Sequence, residues 1–106
     1  MSVEYIPFDP TLIGKEEIII WCPDEANHPK LTELLEAHGV VWIGSETRPS
    51  DGWEWQEYCE QTAVRVRVNR HMSISPIDWY ESHCRKMVFM KFSLEWEVAP
   101  DVGDLI

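Results

Sequence analysis

The sequence predicts an α+β domain: one main helix packed on a mostly antiparallel sheet of four to five strands, in two layers. Three observations carry this expectation. EEIIIWCP (16–23) is a short β-branched run closed by a proline, which reads as a strand. NHPKLTELLEAHG (27–39) places Leu31, Leu34, Leu35 and His38 at the spacing of one helical face. TAVRVRVNRH (62–71) and MVFMKFSLEWEV (87–98) alternate apolar and polar residues, as half-buried strands do. A helix and a sheet that are each apolar on one side bury those sides against each other. At 106 residues the chain has the length of a single domain, spanning 1–106. Its hydrophobic content of 44% is enough for a core and too high for a disordered chain.

The elements follow in order. Residues 1–15 contain Pro7, Pro10 and Gly14 and read as an irregular N-terminal arm, anchored by Tyr5, Ile6, Phe8 and Leu12. The continuous apolarity of Ile18 to Cys22 predicts a central strand buried on both faces. In the helix, Asn27 suits the N-cap, Pro29 falls in the first turn where a missing N–H is harmless, and Gly39 marks the stop. VVWIG (40–44) reads as a returning strand, and SETRPSDG (45–52) as a loop of turn formers. Val64, Val66 and Val68 should face the core, with Arg65, Arg67 and Asn69 outward. A short strand is expected at Met72 to Ser75 and a second short helix at Ser75 to His83. In the last strand Val88, Met90, Phe92, Leu94, Trp96 and Val98 share one side, and residues 99–106 read as a loose tail.

Charge is the strongest global signal. Nineteen Asp and Glu against nine Lys and Arg give a formal net charge of -10. Such a chain repels nucleic-acid phosphates and anionic membranes, so direct nucleic-acid and membrane binding are not expected, and its partners should be basic. Simple solubility explains the same charge equally well. MSVEYIPFDP lacks the basic and apolar regions of a signal peptide, and the run from Ile18 to Cys22 is too short to span a bilayer. A cytoplasmic location is therefore expected. Three cysteines, Cys22, Cys59 and Cys84, with no CxxC pair, do not suggest a disulfide framework.

Residues that carry chemistry are sparse. His28, His38, His71 and His83, taken with the cysteines, match no zinc-ligand spacing, so no metal or other cofactor is expected. No serine lies in a GxSxG elbow, and the five glycines are scattered rather than gathered into a phosphate-cradling loop. The expectation is a protein that is not an enzyme. Arg65 and Arg67, with Arg70 just beyond, make a local concentration of cations. Pairing with Glu95 and Glu97 on the last strand is the plainer account, and a phosphate-binding patch the sharper one.

GWEWQEYCEQ (52–61) holds two tryptophans, a tyrosine and three glutamates in ten positions. Burying Trp53, Trp55 and Tyr58 beside Trp21, Trp42 and Trp96 asks much of a small core, so at least one should be exposed. Exposed aromatics ringed by acids suit a basic partner: the rings supply binding energy and the acids steer the encounter. Structural packing is the competing reading. IDWYESH (77–83) has the same character, with Asp78, Trp79, Tyr80 and Glu81. If both groups lie at one edge of the sheet they form one patch.

LTELLEAHGVVWIGSE, a helix ending in glycine followed by a tryptophan-bearing strand and a small-residue turn, resembles small phage-encoded accessory proteins. The matching positions are Leu35, Gly39, Trp42 and, approximately, Gly44, and the likeness runs from about residue 17 to 92. Proteins of that kind include anti-CRISPR proteins, restriction inhibitors and other nucleic-acid mimics, so the resemblance implies an anti-defence context. It brings no site residues with it.

Together these readings predict an acidic binding protein that occupies the basic, nucleic-acid-binding surface of a host or defence protein such as a nuclease, in the manner of a DNA mimic. Trp53, Trp55 and Tyr58 are the expected anchors, Glu54, Glu57 and Glu60 their charge partners, and Glu46 and Asp51 extend the patch. Two alternatives stand beside it. One is a nucleotide-signal binder using Arg65, Arg67 and Arg70. The other is a homo-oligomer, such as a homodimer, joined through an edge strand.

Overall fold

A computed structural model describes residues 3–93 and has the α+β architecture the sequence predicts, with a main helix packed on a sheet. Among the described residues six strands form that sheet: β1 (Tyr5–Pro7), β2 (Ile18–Trp21), β3 (Val41–Trp42), β4 (Thr62–Val66), β5 (His71–Pro76) and β6 (Val88–Lys91). Two helices cover it, α1 (His28–Ala37) and α2 (Ile77–His83). The strand order is β1-β6-β2-β4-β5-β3.

This sheet departs from the expected one in strand count and in direction. β2–β4 and β4–β5 are antiparallel, whereas β1–β6, β2–β6 and β3–β5 are parallel, so the sheet is mixed. Alternation along a strand fixes which side chains share a face but not which strand lies alongside. The parallel neighbours arise because the connections through α1 and α2 are long enough to cross over the sheet. The arm at 1–15 is not wholly irregular either. Tyr5–Pro7 pairs with β6 in the register Tyr5↔Phe89, Ile6↔Met90, Pro7↔Lys91, and Pro10–Leu12 forms a 3-10 turn capped by the Asp9 carboxylate. Both outer strands, β1 and β3, are very short, which limits edge-to-edge pairing with another copy.

The two faces of β2 explain the layering. Ile18 and Ile20 pack with Leu31 and Leu35 of α1, Val64, Val66 and Met90. Ile19 points the other way and packs with Ala63, Phe89, and Ile77 and Tyr80 of α2. The helices therefore lie on opposite faces, and the sheet is the middle of three layers rather than one of two. All three isoleucines are fully buried, as a central strand requires. α1 ends as its sequence implies. Gly39 takes φ 77°, its N–H donates to the Glu36 carbonyl at 3.1 Å, and the Val40 N–H donates to the Leu35 carbonyl at 3.0 Å. Asn27 precedes the helix without a side-chain capping bond.

β4 ends at Val66, sooner than the alternation suggests. A turn follows in which Arg70 adopts φ 67° and its N–H donates to the Arg67 carbonyl at 2.8 Å. Val68, expected in the core, is therefore 47% exposed. Leu94, Glu95, Trp96, Glu97, Val98 and the tail 99–106 lie outside the described residues. Among the described residues no helix is long and apolar enough to cross a membrane.

Candidate binding surface

The segment 52–61 folds back against the end of β2, and its indoles are the reason. Trp53 is only 4% exposed and packs in the α1-side core, with its ring edge-on to His28 at 4.5 Å. Trp55 is half-buried and donates its indole N–H to the Cys22 carbonyl at 3.0 Å. Trp21 reaches back the other way, its indole N–H donating to the Glu60 carbonyl at 2.6 Å. The Thr62 hydroxyl donates to the Trp55 carbonyl at 3.1 Å, and the Gln56 amide donates to the Glu25 carboxylate. Trp53 is thus no surface anchor. It is a core residue, because a loop beside a helix N-terminus offers an indole an apolar seat that sequence position does not reveal. Trp55 and Tyr58 present only part of their rings.

Pinned in this way, the backbone runs through two 3-10 turns, Trp55–Glu57 and Cys59–Gln61, with Cys59 at φ 52°. Glu54, Glu57 and Glu60 all stand exposed. Glu54 and Glu57 line one depression with Gly52 and Gln56. Asp51 is exposed beside Gly52, but Arg48 lies 3.8 Å from its carboxylate and offsets part of its charge. Glu46 does not extend this surface. Its carboxylate is 3.6 Å from His71 Nε2, at the start of β5, whereas the glutamate row adjoins the far end of that strand. The length of β5, about 17 Å, separates the two.

Among the described residues the exposed large aromatic is Trp79 on α2, at 46%. Its ring stacks on His83 at 4.3 Å and 12°, and meets Tyr80 edge-on at 5.6 Å. Ile77 and Tyr80 take the buried face of α2, which leaves Trp79 outward. The Asp78 N–H donates to Gln61 Oε1 at 3.2 Å, so the start of α2 sits beside the end of the glutamate row. The two aromatic-acidic segments meet at Asp78 and Gln61, and Trp79 rather than Trp53 is the exposed ring. The i, i+3 spacing of Ile77 and Tyr80 was the signal for this, since it puts Trp79 off the apolar stripe.

The chain matches no known protein family, no curated protein and no solved structure.

Two of the three arginines bear on Glu17. Arg65 lies on the α2 side of the sheet, opposite Ile19, and its Nη2 donates to Glu17 Oε1 at 2.9 Å. The other Glu17 oxygen accepts the Val68 N–H at 2.7 Å. Burial pushes the Glu17 carboxyl up, but the bonds from Arg65 and Val68 and the charges of Arg65 and Arg67 outweigh it, leaving the carboxyl below its ordinary value. Arg70 lies over Gly14, where an added Cβ would come within 2.8 Å of its Nη2. Arg65 and Arg67 both bear on Glu17, whereas Arg70 lies over Gly14, and among the described residues the ion-pair partner of Arg65 is Glu17.

Nucleophiles are poorly placed. Cys22 is buried, its thiol pushed up to about 12 chiefly by that burial, and Cys84 is buried as well. Cys59 is exposed, with its sulfur 3.6 Å from the Gln56 carbonyl. Among the described residues no group of three or more His, Cys, Asp or Glu side chains is placed to hold a metal.

Proposed function

We propose that this chain is a non-enzymatic acidic binding protein that docks on the basic surface of a nucleic-acid-handling protein and blocks it. The observation that carries the reading is the Asp78–Gln61 bond, which brings the helix of the exposed Trp79 to the Glu60 end of the exposed glutamates 54, 57 and 60. An exposed ring near acids that attract a cationic face combines anchor and steering. The net charge of -10 favours the same class of partner. The likeness of residues 17–92 to small phage accessory proteins supports an inhibitor of host defence, anti-CRISPR-like or DNA-mimicking, acting inside a bacterial cell.

The test is capture from nuclease-treated bacterial lysate, run side by side with Trp79→Ala and with Glu54→Gln/Glu57→Gln/Glu60→Gln. A basic nucleic-acid enzyme held by the parent chain, lost by both variants and displaced by DNA supports the proposal. Retention that is indifferent to both variants and to salt refutes it.

A further inference from the structure

We infer that the opposite end of the sheet carries a second site, for a small amphiphilic anion: a phosphate, sulfonate or carboxylate head on an apolar body. β2 begins there, β4 ends and β6 begins, with Ile18 paired to both Val66 and Val88. Around these ends the turn at 15–17, Val68 and residues 86–88 line an open depression of about 360 Å³. That volume falls within the range of small-ligand pockets, roughly 300–1,000 Å³.

Its lining has two characters. Val68, Met87 and Val88 provide an apolar floor, and Val68 is held open to solvent because β4 stops two residues earlier. Lys15 and Lys86 stand on the wall, both exposed, and among the described residues neither belongs to an ion pair. Glu17 also lines the depression, but both its oxygens are already engaged, by Arg65 and by the Val68 amide. Its charge is therefore answered from behind, and only Glu16 on the rim opposes an incoming anion. A neighbouring depression shares Lys86 and Met87 and adds Arg85, which prolongs the cationic wall.

The surrounding charge decides the class of ligand. Of the nine Lys and Arg in the chain, Lys15, Arg65, Arg67, Arg70, Arg85 and Lys86 gather at this end. A long polyanion would meet the acidic remainder of a chain at -10, which repels it. A small anion feels the local cations and escapes most of that repulsion, since exposed charges more than about 10 Å apart are largely screened at ordinary salt. The apolar floor then favours a ligand with a hydrophobic body over inorganic phosphate.

The probe is anilinonaphthalene sulfonate, titrated into the full chain and followed by its fluorescence and by backbone amide shifts. Saturable binding is expected, with amides of Lys15, Val68 and Met87 moving together. Lys15→Ala/Lys86→Ala should weaken it about tenfold, the loss of a charge-assisted contact. Glu16→Gln should tighten it, and Trp79→Ala should leave it unchanged, which separates this site from the acidic surface. Lys15→Gln/Lys86→Gln keeps the stems and guards against a change in folding. Shifts confined to the surroundings of Trp79, binding indifferent to both lysine pairs, or equal binding of the uncharged phenylnaphthylamine would each overturn the inference.

Discussion

Glu17 and Arg65 meet at 2.9 Å across the width of two strands, and their pairing ties the entry of β2 to the exit of β4. The same carboxylate holds the first free amide of the following turn, at Val68. Removing it strands a half-buried guanidinium and an amide at once. Glu17→Ala should cost about 1–3 kcal/mol, the penalty for a lost partner to a charged group. The carboxyl lies below its ordinary value in the folded chain, so its contribution is complete above the ordinary carboxylate range. It is lost as pH falls through that range toward the folded value. Urea unfolding of parent and variant should therefore converge as pH falls below the ordinary carboxylate range.

Trp53 and Trp79 should behave oppositely. Trp53→Ala opens a cavity beside His28 in the α1-side core and should cost about 3–5 kcal/mol. Trp79→Ala removes an outward ring and should change stability by no more than about 1 kcal/mol, while abolishing partner capture. Denaturant titration of the two variants separates scaffold from surface. Equal loss of stability in both would contradict the assignment of Trp79 to the binding face.

His28 supplies a second pH dependence of known sign. Burial against Trp53 holds its imidazole below the ordinary histidine value, with Glu25 pulling weakly the other way. The folded chain thus prefers the neutral ring. Stability from this group is complete above about pH 6.5 and declines as pH falls through and below it. A thermal unfolding series between pH 5 and 8 should show the decline in the parent chain and a shallower one in His28→Phe.

Charge steering makes a kinetic prediction. Glu54→Gln/Glu57→Gln/Glu60→Gln should slow association with a basic partner about tenfold at low salt and leave dissociation nearly unchanged. Stopped-flow or surface binding kinetics over a salt series would measure both rates, and an effect confined to dissociation would count against steering.

Much of the fold was legible in particular residues. Leu31, Leu35 and Gly39 marked α1 and its end, the run Ile18–Ile20 marked a doubly buried strand, and Val64 and Val66 marked the α1-side face of β4. What escaped was set by long-range contact. Nothing local in Val88–Lys91 says that it lies between β1 and β2, parallel to both. The partner of Arg65 stands 48 residues earlier, at Glu17. Trp53 followed a row of turn formers and so suggested surface, yet its ring found the space beside His28. For the candidate surface, the composition of 52–61 gave the acids correctly as exposed, and the free aromatic came from the neighbouring segment instead.

Three of the bonds that pin the acidic row end on main-chain carbonyls: Trp55 on that of Cys22, Trp21 on that of Glu60, and Thr62 on that of Trp55. A carbonyl is supplied by whatever residue occupies the position, so Glu60 could be exchanged for another amino acid without releasing the indole it receives. Glu54 and Glu57 are likewise free of scaffold duty among these contacts. The molecule thus separates what must be inherited intact from what is free to drift. A lineage could re-pattern this face against a changing target, one exposed side chain at a time, while the tryptophans beneath keep its shape.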